Sequence, residues 1–144
     1  MIPQLQTSRL FLHPLGLADA QQAQLLFPHW EIVRYLSNTV PWPYPPDGAY
    51  TFYRDAVLPA MDRGDEWHWT LRLKTEPDQL IGGVALRKGE NINHGFWLGL
   101  PWRPLALRAR RNAGRVCCRL VPVISVCFRH CLKNPAFASN HLQG

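Results

Sequence analysis

The sequence predicts a mixed α/β domain: one strand, then two or three helices, then a three-strand antiparallel meander. Three observations carry that expectation. Apolar residues recur at helical spacing between residues 19 and 63, and the period drops to two from residue 66 onward. Residues 80–86 are apolar nearly throughout, as in a central strand. Thirteen Pro and ten Gly interrupt the chain too often for a coiled coil or a helical solenoid. Hydrophobic residues make up 47% of 144 residues, enough to bury the core of about one domain.

Taken in order, residues 4–13 read as a strand, with Leu10 and Leu12 on one face and Arg9, Phe11 and His13 on the other. Asp19 is placed to cap a helix that runs through Phe27 and stops at Pro28. A shorter helix follows, in which Ile32, Tyr35 and Leu36 share a face. Pro41-Trp-Pro-Tyr-Pro-Pro46 excludes regular structure and reads as an extended loop. Asp47 restarts a helix whose stripe is Tyr53, Ala56, Val57, Ala60 and Met61, bent by Pro59 and ended by Gly64. Trp67, Trp69, Leu71 and Leu73 then alternate with His68, Thr70, Arg72 and Lys74 in a half-buried strand. Residues 75–78 form a turn, 80–86 a second strand, and 93–100 a third. Residues 5–13, 66–74, 79–87 and 93–100 are expected in one sheet with the helices packed on it.

The charge divides the chain. Residues 1–102 hold eight basic and all ten acidic residues, a net −2; residues 103–144 hold seven Arg, one Lys and no acid, a net +8. All four cysteines, Cys117, Cys118, Cys127 and Cys131, also lie beyond the break. Their spacing, with His130 beside Cys131, lacks the paired Cys-x2-Cys knuckles of a structural zinc site, so reduced thiols and no metal are expected. No apolar run reaches the roughly 18 residues of a membrane span, and the first residues lack the features of a signal peptide. A cytoplasmic protein is expected.

Several chemistries find no motif here. The sequence has no phosphate loop ending in Gly-Lys-Ser/Thr, no dinucleotide fingerprint and no His-Glu-x-x-His. No Ser occupies a Gly-x-Ser-x-Gly elbow.

Six short segments, in order over about 95 residues, carry a resemblance. They are Thr7-Ser-Arg-Leu-x-Leu12, Asp19 opening the first helix, and Val40-Pro-Trp-Pro-Tyr-Pro45, followed by Trp67-His-Trp-Thr-Leu71, Leu80-Ile-Gly-Gly-Val84 and Gly95-Phe-Trp-Leu-Gly99. Together they resemble the GNAT acetyltransferases, in the branch of the ribosomal-protein alanine N-acetyltransferases. The resemblance implies a central, mostly antiparallel sheet with helices on its faces and acetyl-CoA as co-substrate. It also implies direct attack of a primary amine on the thioester, with no covalent enzyme intermediate. In the family, the strand matching 93–100 splays from its neighbour and offers backbone groups to the pantetheine arm and the thioester carbonyl. That places Phe96, Trp97 and Leu98 on the cofactor side, although core packing in a central strand explains the same residues. The Pro-rich loop lines the acceptor entrance in the family, which makes Trp42 and Tyr44 substrate-binding candidates; the alternative is an aromatic plug over the sheet edge. No general base is singled out. Glu31, His68 and His94 are the possible ones, and each also reads as a surface or packing residue.

The resemblance ends at about Trp102. The family calls for a Gln/Arg-x-x-Gly-x-Gly/Ala turn whose amides and helix dipole bind the pyrophosphate. Here Trp102-Arg-Pro-Leu-Ala-Leu-Arg108 lacks both glycines, and Pro104 removes one amide donor. The chain therefore reads as residues 1–102, an amino-terminal GNAT segment, and residues 103–144, a basic segment expected to derive from a shifted reading frame. The alternative function is a non-catalytic protein that binds RNA or another acidic partner through Arg103, Arg108, Arg110, Arg111, Arg115 and Arg119.

Overall fold

The computed structural model describes residues 2–7, 9–34, 40–88 and 93–102. They form a five-stranded antiparallel sheet in the order β1-β2-β3-β4-β5, with helices between β2 and β3. The expected strand over 4–13 is two strands, β1 (Leu5–Gln6) and β2 (Leu10–Pro14), paired as a hairpin with Leu5 opposite Leu12. Thr7 makes the turn. Its N–H donates to the Leu10 carbonyl at 2.9 Å, and its Oγ1 accepts the Leu10 N–H at 3.1 Å. That local side-chain bond offers the backbone a reversal.

The helical segment begins with a 3-10 turn at Leu17–Asp19, two residues before the expected cap, and continues as α1 (Ala20–Leu26). Asp19 reaches back to accept the Gly16 N–H at 2.9 Å. A short α2 (Trp30–Val33) buries Ile32; Tyr35 and Leu36, expected on the same face, lie outside the described residues. The Pro-rich stretch is irregular, as expected, and leads into α3 (Gly48–Phe52) and α4 (Leu58–Arg63). Between α3 and α4 the chain makes a π-type turn, Tyr53–Val57, in which the Leu58 N–H donates to the Tyr53 carbonyl five residues back. The wider turn lies immediately before Pro59, whose ring cannot continue the ordinary ladder. It shifts the stripe: Ala49, Tyr53, Val57 and Ala60 are buried, and Ala56, expected among them, is exposed. Gly64 ends α4 at φ 73°.

β3 (Glu66–Leu73) pairs with β2 and with β4 (Glu76–Arg87), which pairs with β5 (Asn93–Leu98). Leu12, Leu71, Gly82 and Leu98 share one rung, while His13, Thr70, Gly83 and Trp97 share the next and point to the opposite face. The first face carries Leu5, Leu12, Trp69, Leu71, Val84 and Leu86 in one core; Trp69 is fully buried and donates its indole N–H to the Pro3 carbonyl at 2.9 Å. The second face receives the helices, whose Ala20, Ala23, Ala49, Tyr53 and Val57 form a second core against Trp97. β3 is therefore buried on both faces, rather than half-buried as its alternation suggests: His68 and Thr70 are covered too.

The turn expected at 75–78 is tighter and displaced. Leu73 stands opposite Glu76, and Arg72 stands opposite Leu80, so residues 77–79 bulge from β4. Arg72 holds the bulge, donating to the carbonyls of Pro77 at 3.2 Å and Asp78 at 3.1 Å. Its other Nη meets Asp19 at 2.6 Å, with both side chains nearly buried. From α1, Gln22 accepts the Leu80 N–H at 2.8 Å and donates to the Asp78 carbonyl at 3.1 Å. Removing one partner of such a covered pair strands the other charge. Asp19→Ala is expected to lower the unfolding free energy by about 3 kcal/mol in urea titrations, and Asp19→Ala with Arg72→Met to recover part of it. A single-mutant loss below about 1 kcal/mol would place the pair with ordinary surface bridges.

Candidate active site

β5 is the outermost strand among the described residues. Its Gly99 continues the ladder, donating its N–H to the Ile81 carbonyl at 2.8 Å. In an antiparallel ladder, residues alternate between facing the partner and facing away. Gly95, Trp97 and Gly99 therefore turn their backbone groups to β4, and Phe96 and Leu98 turn theirs to the outer edge. The Trp97 carbonyl does lie against β4, since a Cβ on Gly82 would run into it. Over the described residues, β5 stays paired with β4 from Asn93 to Leu98. Of the three cofactor-side candidates, two thus present backbone and one presents its ring.

The Trp97 ring lies on the helix face, close over Gly83, where an added Cβ would stand 2.8 Å from Nε1. Phe27 meets it edge to face at 5.2 Å and meets Tyr44 in the same manner at 5.1 Å. Further out, Trp30 and Trp42 pair at 5.5 Å. The Pro-rich loop is thus fastened to the α1–α2 connection by two aromatic contacts, 44 to 27 and 42 to 30. Both acceptor candidates stand on this wall, and Tyr44 is joined through Phe27 to β5.

Gln24 sets the loop. Its amide nitrogen donates to the Pro45 carbonyl at 3.0 Å, and its oxygen accepts the Ala49 N–H at 2.9 Å, satisfying an otherwise orphaned donor at the start of α3. Gly48 admits the Tyr44 ring, because a Cβ there would fall 2.8 Å from Cε1 and Cζ. Burial raises the Tyr44 phenol above its ordinary pKa, and it raises Tyr53 further, helped by the nearby Tyr44 and Asp19. Both hydroxyls stay protonated at neutral pH.

The three possible bases separate. Glu31 is exposed on α2, and the side chain of His94 lies outside the described residues. His68 is buried on β3, bonded to Glu66 Oε2 at 2.6 Å, while Glu66 also faces Arg87 at 3.4 Å. Two strands and one rung pair separate its Cα from that of Trp97, about 12 Å by sheet spacing. Phe27, Trp30 and Gln24 escaped the sequence reading, because no periodicity links a helix end to a loop or to a strand 70 positions later. An open groove of about 590 Å³ lies elsewhere, between Gln22, Leu25 and Leu26 of α1 and the bulge, and touches none of the expected site residues.

A family model for the GNAT acetyltransferase domain matches residues 9–135. The chain belongs to the GNAT acetyltransferases. That match extends past Trp102, where the recognisable segments stop. Solved GNAT structures share the fold. A protein described as a ribosomal-protein-serine acetyltransferase of Vibrio cholerae gives a TM-score of 0.56 at 18% identity, over 90% of this chain and 70% of that one. RimL, a ribosomal α-N-protein acetyltransferase in complex with coenzyme A, gives 0.55 at 12%, over 74% and 61%. FdhC, a nucleotide-linked sugar GNAT, gives 0.54 at 16%, over 76% and 65%. This chain thus spans less than two thirds of the latter two GNAT proteins. No curated protein matches it. Among the described residues, no helix is long and apolar enough to cross a membrane.

Two measurements follow from this geometry. Gly48→Ala should displace Tyr44 and cost roughly 1–3 kcal/mol, as overpacking does, readable by thermal unfolding. Burial lowers the His68 pKa below 6.5 despite the Glu66 partner. The unfolded chain then binds the proton more readily, so stability present at neutral pH is lost as pH falls below about 6.5. His68→Gln should flatten the stability profile between pH 7 and the native pKa; an unchanged slope would assign it to other groups.

Proposed function

We propose that this chain transfers an acetyl group from acetyl-CoA to a primary amine, the N-terminal α-amine of a protein or a small-molecule amine. The observation that carries this reading is the outward-facing backbone of β5 at Phe96 and Leu98, joined through Trp97 and Phe27 to the wall of Tyr44 and Trp42. An outer strand suits the amides of a pantetheine arm, and one fixed N–H aimed at the thioester oxygen contributes a few kcal/mol to the barrier. Trp97 supports that strand by packing. Tyr44 and Trp42 bound the side from which the amine arrives.

In this reading the neutral amine attacks the thioester carbonyl, the N–C bond forms and the C–S bond breaks. The amine loses a proton and the CoA thiolate gains one. An α-amine with a pKa near 8 is partly neutral at pH 7 and needs only a weak base or a water chain. This suits a site in which His68 is taken up by Glu66. The solved GNAT structures include proteins described as acting on protein termini and on a nucleotide-linked sugar, so both acceptor types fit the fold.

Residues 103–108 lack the glycines of the family's pyrophosphate turn. Arg103 and Arg108 offer charge, but charge alone does not replace the oriented backbone amides of a glycine turn. The proposal therefore includes weak cofactor affinity: calorimetry should give a dissociation constant well above micromolar, and a micromolar value would show the turn rebuilt from other residues. The net +8 of residues 103–144 favours a second reading, a basic protein that binds RNA. Salt-sensitive RNA binding, lost on deleting those residues, would support it over acetyl transfer. For the acceptor wall, Trp42→Ala should raise the KM for the amine about tenfold, the effect of losing one aromatic contact and its buried area, with the KM for acetyl-CoA unmoved. Equal losses on both substrates would leave Trp42 a packing residue.

A further inference from the structure

Trp30 belongs to neither core. It is 51% exposed and Trp42 is 46% exposed, although the two rings lie 5.5 Å apart and tilted by 48°. Half of each indole thus meets solvent in one contiguous aromatic surface, which a soluble fold keeps small unless something binds there. The surface is also held in place. Trp42 stands between Pro41 and Pro43, Gln24 fastens the loop at Pro45, and Tyr44 is locked against Gly48 and Phe27. A preformed aromatic surface loses little freedom when a ligand settles on it.

Its position is what gives it a use. The ring of Tyr44 lies within roughly 10 Å of Trp97 by way of Phe27. Trp42 stands two residues before Tyr44 on the same loop, at most about 7 Å away along the chain. The Trp30–Trp42 pair therefore lies within reach of Tyr44, on the loop that Phe27 joins to β5. The wedge between two tilted rings accepts a third ring face to one and edge to the other.

We propose that Trp30 and Trp42 form a specificity subsite for an aromatic or flat apolar group carried by the acceptor, distal to its reacting amine. This rests on the reading of the Pro-rich loop as the acceptor wall. Trp30 selects among acceptors and takes no part in the chemistry. Acceptors with a ring at the right distance bind better than those ending in a simple alkyl chain.

The test uses ω-phenylalkylamines with linkers of about four to ten methylene groups, a series that brackets the chain geometry, against the matched alkylamines. Affinity is read by calorimetry on the full chain, and acetyl transfer is followed in parallel. The expected result is a phenyl preference of roughly tenfold at one linker length. Trp30→Ala should abolish that preference and leave acetyl-CoA affinity unmoved, and Trp30→Phe should restore most of it. A phenyl preference absent at every length, or surviving Trp30→Ala, overturns the subsite while alkylamine binding and transfer leave the acceptor reading standing. Absence of any amine binding or transfer overturns both together. Sedimentation showing that Trp30→Ala abolishes dimers, with amine affinities unmoved, overturns the subsite in favour of a contact between copies.

Discussion

The Arg72 guanidinium ties three separate parts of the chain to one point. It grips the carbonyls of Pro77 and Asp78, holding the β4 bulge, and it meets Asp19 at the start of α1. Asp19 in turn accepts the Gly16 N–H, so the same carboxylate ends one backbone and anchors another. Gln22, one helical turn on, bonds the same bulge. A covered charge of this kind tolerates few arrangements, since an unpaired partner would cost several kcal/mol. The helix is therefore fixed in rotation and in height over the sheet. Phe27, at the end of that helix, inherits its position from this contact.

From Phe27 outward the site follows by packing. Its ring touches Trp97 on β5 and Tyr44 on the loop, so the loop has a defined distance from the outer strand. Gln24, on the same helix, satisfies backbone groups of the loop and of α3. A proline-rich segment has few N–H donors and makes few bonds of its own, so it takes its course from what it leans on. The backbone of β5 and the aromatic wall are thereby brought to one side of one helix end.

Much of the fold was legible, for reasons that also explain what was missed. The alternation of Trp67, Trp69, Leu71 and Leu73 marked β3, and Gly64 marked the end of the helix before it. The hairpin at Thr7 was not legible, because the reversal depends on one hydroxyl and the change of apolar phase between Leu5 and Leu10 spans too few residues to mark it. Ala56 was assigned to the buried stripe on a regular period, and the π turn before Pro59 carried it out to solvent. In the candidate site, Trp42 and Tyr44 lie on the loop that the resemblance singles out, and their residue types mark them as candidates. Trp30 and Phe27 were not, since their roles are contacts across 12 and 70 positions.

The sequence by itself determined the helices that follow the first strand segment, the antiparallel meander after them, the family and the sharp change of charge at residue 103. Each of these is written in local spacing, in short ordered motifs or in composition, and none needs a partner residue to be read. Only the tertiary structure decided that β3 is buried on both faces and that Arg72 holds the bulge. It alone decided that His68 is taken up by Glu66, and that Trp97 gives its ring to the helices while Phe96 and Leu98 turn their backbone outward. These depend on which distant group arrives alongside. A strand's pattern records how many of its faces are apolar, but a polar residue is buried only when it gains cover and a bond, which Glu66 gives His68 and the His13 carbonyl gives Thr70. The outward edge of β5 is likewise fixed by one register, Gly99 against Ile81, and a shift of one residue would reverse it.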